Sequence, residues 1–188
     1  MKRNTNRLIK LSVVIYYIFM IIGTLFAGGK ISNNNEQKSS GWLSFGIGQC
    51  YFGPTFNTSF SYSYKKNIFT IRYLKASEFR FDPGGTNYDD PALSLKEIGV
   101  LYGRSSRNKQ LLFSILAGIG LVNGIDRGKQ IEYNKYEKIN ISTFGIPLEA
   151  KFRIELSRYV GIGGSCFGNI NTKKTFFGGM LELYLGKF

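Results

Sequence analysis

From residue 41 onward the apolar residues of this chain recur with a period of two, and the last stretch shows it most plainly. Within 175–188, Phe177, Leu181, Leu183 and Leu185 fall on one face of a strand, and Gly178, Glu182, Tyr184 and Gly186 on the other. No segment after Gly41 carries a helical period. Seven more alternating segments precede the last one: 41–51, 55–64, 68–79, 94–104, 111–122, 140–156 and 159–169. In 55–64, for example, Phe56, Phe60, Tyr62 and Tyr64 alternate with Asn57, Ser59, Ser61 and Ser63. The total is eight strands, an even number. Each is near the roughly 9–11 residues that a tilted strand needs to cross a bilayer. The 23 glycines and the 15% aromatic content suit short strands, tight turns and a crowded interior, and exclude a disordered chain.

The connections form an independent pattern. If the N-terminus lies on the periplasmic side, the outer connections are 52–54, 80–93, 123–139 and 170–174. The inner ones are 65–67, 105–110 and 157–158. Both long connections fall on one side, as they do in barrels with long outer loops and short inner turns.

The first 40 residues read differently. Lys2, Arg3, Arg7 and Lys10 precede an apolar run over 11–26, and small residues follow at Ala27, Gly28 and Gly29. This is the order of a secretory signal peptide, with cleavage expected after Ala27. The run is somewhat short for a transmembrane helix, which needs about 20 apolar residues. Residues 28–40 are expected to be a flexible periplasmic lead-in and 41–188 the barrel. Removing the four leader cations takes the net charge from +13 to +9. No basic groove or nucleic-acid module accompanies that charge, so nucleic acid is not an expected partner. Cys50 and Cys166 lie on non-neighbouring strands, Cys50 facing inward and Cys166 outward, and are expected to be free thiols. No cysteine closely follows the apolar run, which argues against a lipoprotein anchor.

The two strand faces differ in kind. One carries Phe, Tyr, Leu, Ile and Val. The other carries Gly, Ser and Thr with charges. A soluble carrier barrel would put the apolar face inside. A charge facing the middle of a bilayer costs about 2–4 kcal/mol. Arg72, Glu97, Glu149, Lys151, Arg153, Glu155 and Glu182 are therefore expected inside, paired with one another. The glycine pairs Gly46/Gly48, Gly118/Gly120 and Gly161/Gly163 fall on the same inward face and complete no phosphate-binding motif. They leave room for a narrow, filled interior.

The chain has no histidine. That excludes His-dependent nucleophilic systems and most zinc sites. Glu149 and Glu155 could pair as catalytic carboxylates, but Lys151 and Arg153 lie between them on the same face, which favours a charge-compensated core. No catalytic, cofactor or metal site is expected. Two surfaces remain. The inner turns carry Lys65, Lys66, Arg107 and Arg158, suited to lipid headgroups. The outer connection 123–139 holds Arg127, Lys129, Tyr133 and Tyr136. Its cations suit lipopolysaccharide phosphates and its tyrosines a protein partner.

Three segments, 145–149 (Gly-Ile-Pro-Leu-Glu), 161–171 and the closing strand, resemble small outer-membrane β-barrel proteins common in Bacteroidota. The chain is also similar to OmpA- and OmpX-type eight-stranded barrels. The resemblance covers about 41–188 and implies an up-and-down antiparallel transmembrane barrel, reached through the barrel-assembly machinery. It carries no catalytic residues. Tyr184 and the terminal Phe188 mark the barrel closure. Phe188 is in phase with Glu182 and Tyr184 rather than with the outward leucines, so either Gly186-Lys187 forms a bulge or the outward face changes near the end. The expected role is structural or interactive in a Gram-negative outer membrane: envelope integrity, adhesion, or an accessory subunit beside other envelope proteins. A narrow channel for small solutes or ions is the alternative, and a soluble periplasmic carrier a further one.

Overall fold

In a computed structural model, residues 39–79, 91–108, 110–132 and 135–187 are described. The leader, most of the lead-in, Tyr133 and Phe188 lie outside them. Eight strands follow one another: β1 Ser40–Cys50, β2 Gly53–Tyr64, β3 Asn67–Ser77, β4 Ser94–Asn108, β5 Leu111–Glu132, β6 Lys135–Glu155, β7 Val160–Asn171 and β8 Phe176–Lys187. Each pairs antiparallel with the next, and β8 pairs with β1, so the sheet closes into a barrel without a free edge in its wall. Alternation is what builds it. Along β2, Thr55, Asn57, Ser59, Ser61 and Ser63 are buried while Phe56, Phe60, Tyr62 and Tyr64 are exposed.

Register fixes the tilt. Ile47 sits opposite Phe56, which sits opposite Lys75, then Lys96, Asn123 and Ser142. Continuing through the β6–β7, β7–β8 and β8–β1 registers returns to β1 ten residues from the start. With strands about 4.8 Å apart and a rise of about 3.3 Å per residue, that stagger tilts the strands by about 40°. At this tilt the exposed apolar residues form a belt about 27 Å tall, close to the height of an outer-membrane apolar band. Tyr64, Leu111, Leu156 and Tyr159 lie at its turn-side margin; Tyr51, Phe144, Ile170 and Phe177 lie at its loop-side margin.

The connections on the turn side are tight. Lys65 and Lys66 link Tyr64 to Asn67 in a two-residue turn, with Lys65 in the left-handed region at φ 57°. Two glycines show how narrow the barrel is. A Cβ on Gly46 would lie 2.6 Å from Met180 Sδ and 3.1 Å from Glu182 Cγ. A Cβ on Gly118 would overlap the backbone of β4, 2.7 Å from Leu101 Cα.

Two expectations need correction. The expected outer loop 123–139 is largely strand, because β5 and β6 continue beyond the belt as a paired hairpin. Above the rim both faces meet water, so alternation is lost although the backbone pairing continues. The register of β8 against β1 is also regular through Gly41↔Lys187. No bulge forms at Gly186-Lys187, and Leu181, Leu183 and Leu185 all remain outward.

Candidate functional site

The barrel interior is stacked in three layers. Nearest the loops lie Cys50, Leu74, Ala76, Leu95, Val122, Ile141, Phe167, Phe176 and Met180. Nearest the turns lie Trp42, Ile68, Leu101, Leu112, Leu116 and Tyr184. Between them sits a polar layer. The inward face was expected to hold mainly Gly, Ser and Thr with charges, beside Cys50 and Tyr184, and the two apolar clusters add large apolar side chains to it. Their members share the inward phase, and some stand inside apolar runs, such as Val100-Leu101-Tyr102, where neither face contrasts with the other.

The polar layer is a chain of ionic contacts. Arg72 Nε–H donates to Glu97 Oε1 at 3.0 Å, and Arg72 Nη2 also contacts that oxygen. Arg72 Nη1 lies 3.5 Å from Glu149 Oε1. Lys151 Nζ lies 3.2 Å from Glu149 Oε2 and 3.5 Å from Glu182 Oε2. All five residues are buried. Neutral side chains complete the acids: Asn169 Nδ2 donates to Glu97 at 2.8 Å, Ser165 Oγ to Glu182 at 2.6 Å, and Asn57 Nδ2 to Glu182 at 3.4 Å. The chain of contacts thus ties β2, β3, β4, β6, β7 and β8 across the lumen. Asn57, Ser165 and Asn169 were not singled out from sequence. Their inward phase marked their facing, but only the register between strands shows which acid each one meets.

Arg153 and Glu155 stand apart, at the turn end. Arg153 is buried, with its guanidinium carbon 4.3 Å from the centre of the Trp42 ring and 5.6 Å from that of Tyr184. It donates to Glu155 at 3.1 Å, and Arg107 contacts the same carboxylate. Glu149 and Glu155 therefore belong to separate ion-pair groups and are not paired carboxylates. Four acids face four cations in the two groups together, counting Arg107. Buried charges without this balance would cost several kcal/mol each.

At the loop end the side chains fasten one element to another. Arg127 pairs with Glu78 at 2.7 Å, donates from Nε to the Pro91 carbonyl at 3.3 Å, and lies 6.0 Å from the Tyr136 ring centre. It straps the β5–β6 hairpin to the ends of the β3–β4 connection. Lys174 contacts Asp126 and lies 6.0 Å from the Phe52 ring centre. Lys129 is exposed on the hairpin. Cys50 is buried, Cys166 is exposed on the outer face, and both are free thiols. Among the described residues, no group of three or more His, Cys, Asp or Glu side chains is placed to hold a metal ion.

No protein-family model matches the chain, and no curated protein matches it in sequence. Solved structures do match in fold. The N-terminal β-barrel domain of Pseudomonas aeruginosa OprF aligns with a TM-score of 0.55 at 11% identity, covering 78% of this chain and 96% of that one. Ail, the attachment invasion locus protein of Yersinia pestis, aligns with a TM-score of 0.53 at 14% identity, covering 82% and 100%. Neisserial surface protein A aligns with a TM-score of 0.51 at 11% identity, covering 79% and 94%. All three are small outer-membrane β-barrels. At these identities the likeness is one of fold, and the fold is that of an eight-stranded outer-membrane barrel.

Proposed function

We propose that this chain is an integral outer-membrane barrel of a Gram-negative bacterium whose role is structural or interactive rather than conductive or enzymatic. The observation that carries the reading is the stacking of the lumen. A charged group is flanked toward the loops by Leu95, Val122 and Phe176 and toward the turns by Trp42, Leu112 and Tyr184. A conducting path needs continuous water, and these apolar layers interrupt it on both sides. The ion pairs then serve to hold six strands in one register.

The functional surface is accordingly the outside. The belt anchors the protein among lipids. The β5–β6 hairpin and the β7–β8 connection form a braced platform toward the medium, suited to adhesion or to contact with other envelope proteins. Residues 1–27 act as the export signal and 28–40 as the lead-in, and β8 presents the closing strand to the assembly machinery. Affinity with the Bacteroidota barrels rests on 145–149, 161–171 and the closing strand. Planar-bilayer recording in molar KCl tests the sealed interior. Reconstituted protein is expected to produce no conductance steps, and uniform, reproducible steps would establish the channel reading in its place.

A further inference from the structure

At the loop-side margin of a mainly apolar belt, which also carries the exposed Arg104 nearer the turns, the outer face of β3 and β4 holds two cations. Lys75 and Lys96 are directly opposite each other across the ladder, and both are exposed. Directly opposed residues hold their Cβ atoms about 5 Å apart, and like charges so placed repel. Among the described residues neither lysine has an acid or a hydrogen-bond partner, whereas Arg127 and Lys174 at the same end of the barrel each have an acid. By the stagger of the strands, Lys75 and Lys96 lie level with Tyr51 and Phe144, at the loop-side margin of the belt. One step toward the middle of the belt from this pair are Tyr73 and Ile98, also directly opposed.

We infer that Lys75 and Lys96 form a clamp for the phosphate of a lipid in the loop-side leaflet. The site rests on the membrane reading above. Two ammonium groups straddle the height of a headgroup, and the apolar surface beneath them suits the acyl chain of the same molecule. A phosphate monoester between them replaces a repulsion with two charge-assisted contacts. Lysines at this height would otherwise extend into water, with no preference among lipids.

The test uses the full chain, folded into phosphatidylcholine vesicles that contain trace spin-labelled phosphatidic acid or spin-labelled phosphatidylcholine. The readout is the fraction of each label slowed at the protein surface. The unsubstituted protein is expected to prefer phosphatidic acid by roughly tenfold, as two near-surface lysines allow. Lys75→Gln with Lys96→Gln is expected to bring the preference close to one, with gel mobility reporting an intact barrel. Lys65→Gln with Lys66→Gln, at the opposite end, is expected to leave it largely unchanged. An absent preference, or one that survives the Lys75/Lys96 substitution, overturns the clamp while leaving the membrane reading standing. If neither label is slowed at all, both fall together.

Discussion

Replacing Arg72 with Met is expected to destabilise the folded barrel by about 3–5 kcal/mol, the cost of breaking a buried ion pair from one side. Arg72 is fully buried and bridges Glu97 to Glu149. Its loss leaves Lys151 alone against Glu97, Glu149 and Glu182, raising the excess negative charge of the layer from one to two. Asn169 still donates to Glu97 and Lys151 still faces Glu149, but neither cancels that charge. Adding Glu97→Gln returns the layer to its parental net charge, and the double variant is expected to recover at least half of the loss. Both values come from urea titration of the folded gel band in detergent micelles. The pairing between the sites is read as the departure from additivity. A loss below about 1 kcal/mol for Arg72→Met would mean that water screens the layer, since screened ion pairs contribute that little. A wet interior would also undermine the sealed lumen on which the functional reading depends.

A second substitution acts on the backbone itself. Gly118→Val is expected to prevent most of the chain from reaching the closed barrel, a cost above about 4 kcal/mol. The added Cβ would overlap the Val100–Leu101 backbone of the neighbouring strand, a rigid obstacle that no rotamer change relieves. The β4–β5 ladder would have to separate at that point. Gly179→Ala is the matched control, since its Cβ would meet nothing nearer than the Ser165 carbonyl at 3.7 Å. That variant is expected to stay within about 0.5 kcal/mol of the parent, as surface substitutions commonly do. The measurement for both is the fraction of chain that migrates as the compact form before boiling. Folding of Gly118→Val at parental yield would show that the two strands do not approach as described.

The strands and their facing were legible because lipid and lumen make opposite demands on alternate residues. Phe60 against Ser59 and Ile71 against Arg72 show this directly. The six inward glycines and seven inward charges follow from the same phase. Above the rim that contrast disappears. Asp126 meets Lys174, Arg127 meets Glu78 and Lys129 is exposed, so their place in the β5–β6 hairpin left no periodic trace. The partners within the lumen were also hidden. Phase shows that Arg72 and Glu149 face inward, but their meeting across the barrel depends on strand registers set by the turns. Arg153 illustrates a further limit. Its inward phase was clear, yet its stacking on Trp42 and Tyr184 depends on barrel closure, which brings β1 and β8 together.

Whether the outer face meets hydrocarbon is the question on which everything else turns, and Cys166 is a native probe of it. It lies on the outer face of β7, between Tyr159 at one margin of the belt and Ile170 at the other. A nitroxide attached to Cys166, with Cys50→Ala leaving a single thiol, would be examined in phosphatidylcholine vesicles. Collisions with dissolved oxygen, which partitions into lipid, would be compared with collisions with a polar nickel chelate. Oxygen is expected to dominate at Cys166, while a label at Lys129→Cys on the exposed hairpin is expected to favour the chelate. Equal chelate access at the two positions would place Cys166 in water and contradict the membrane-spanning barrel.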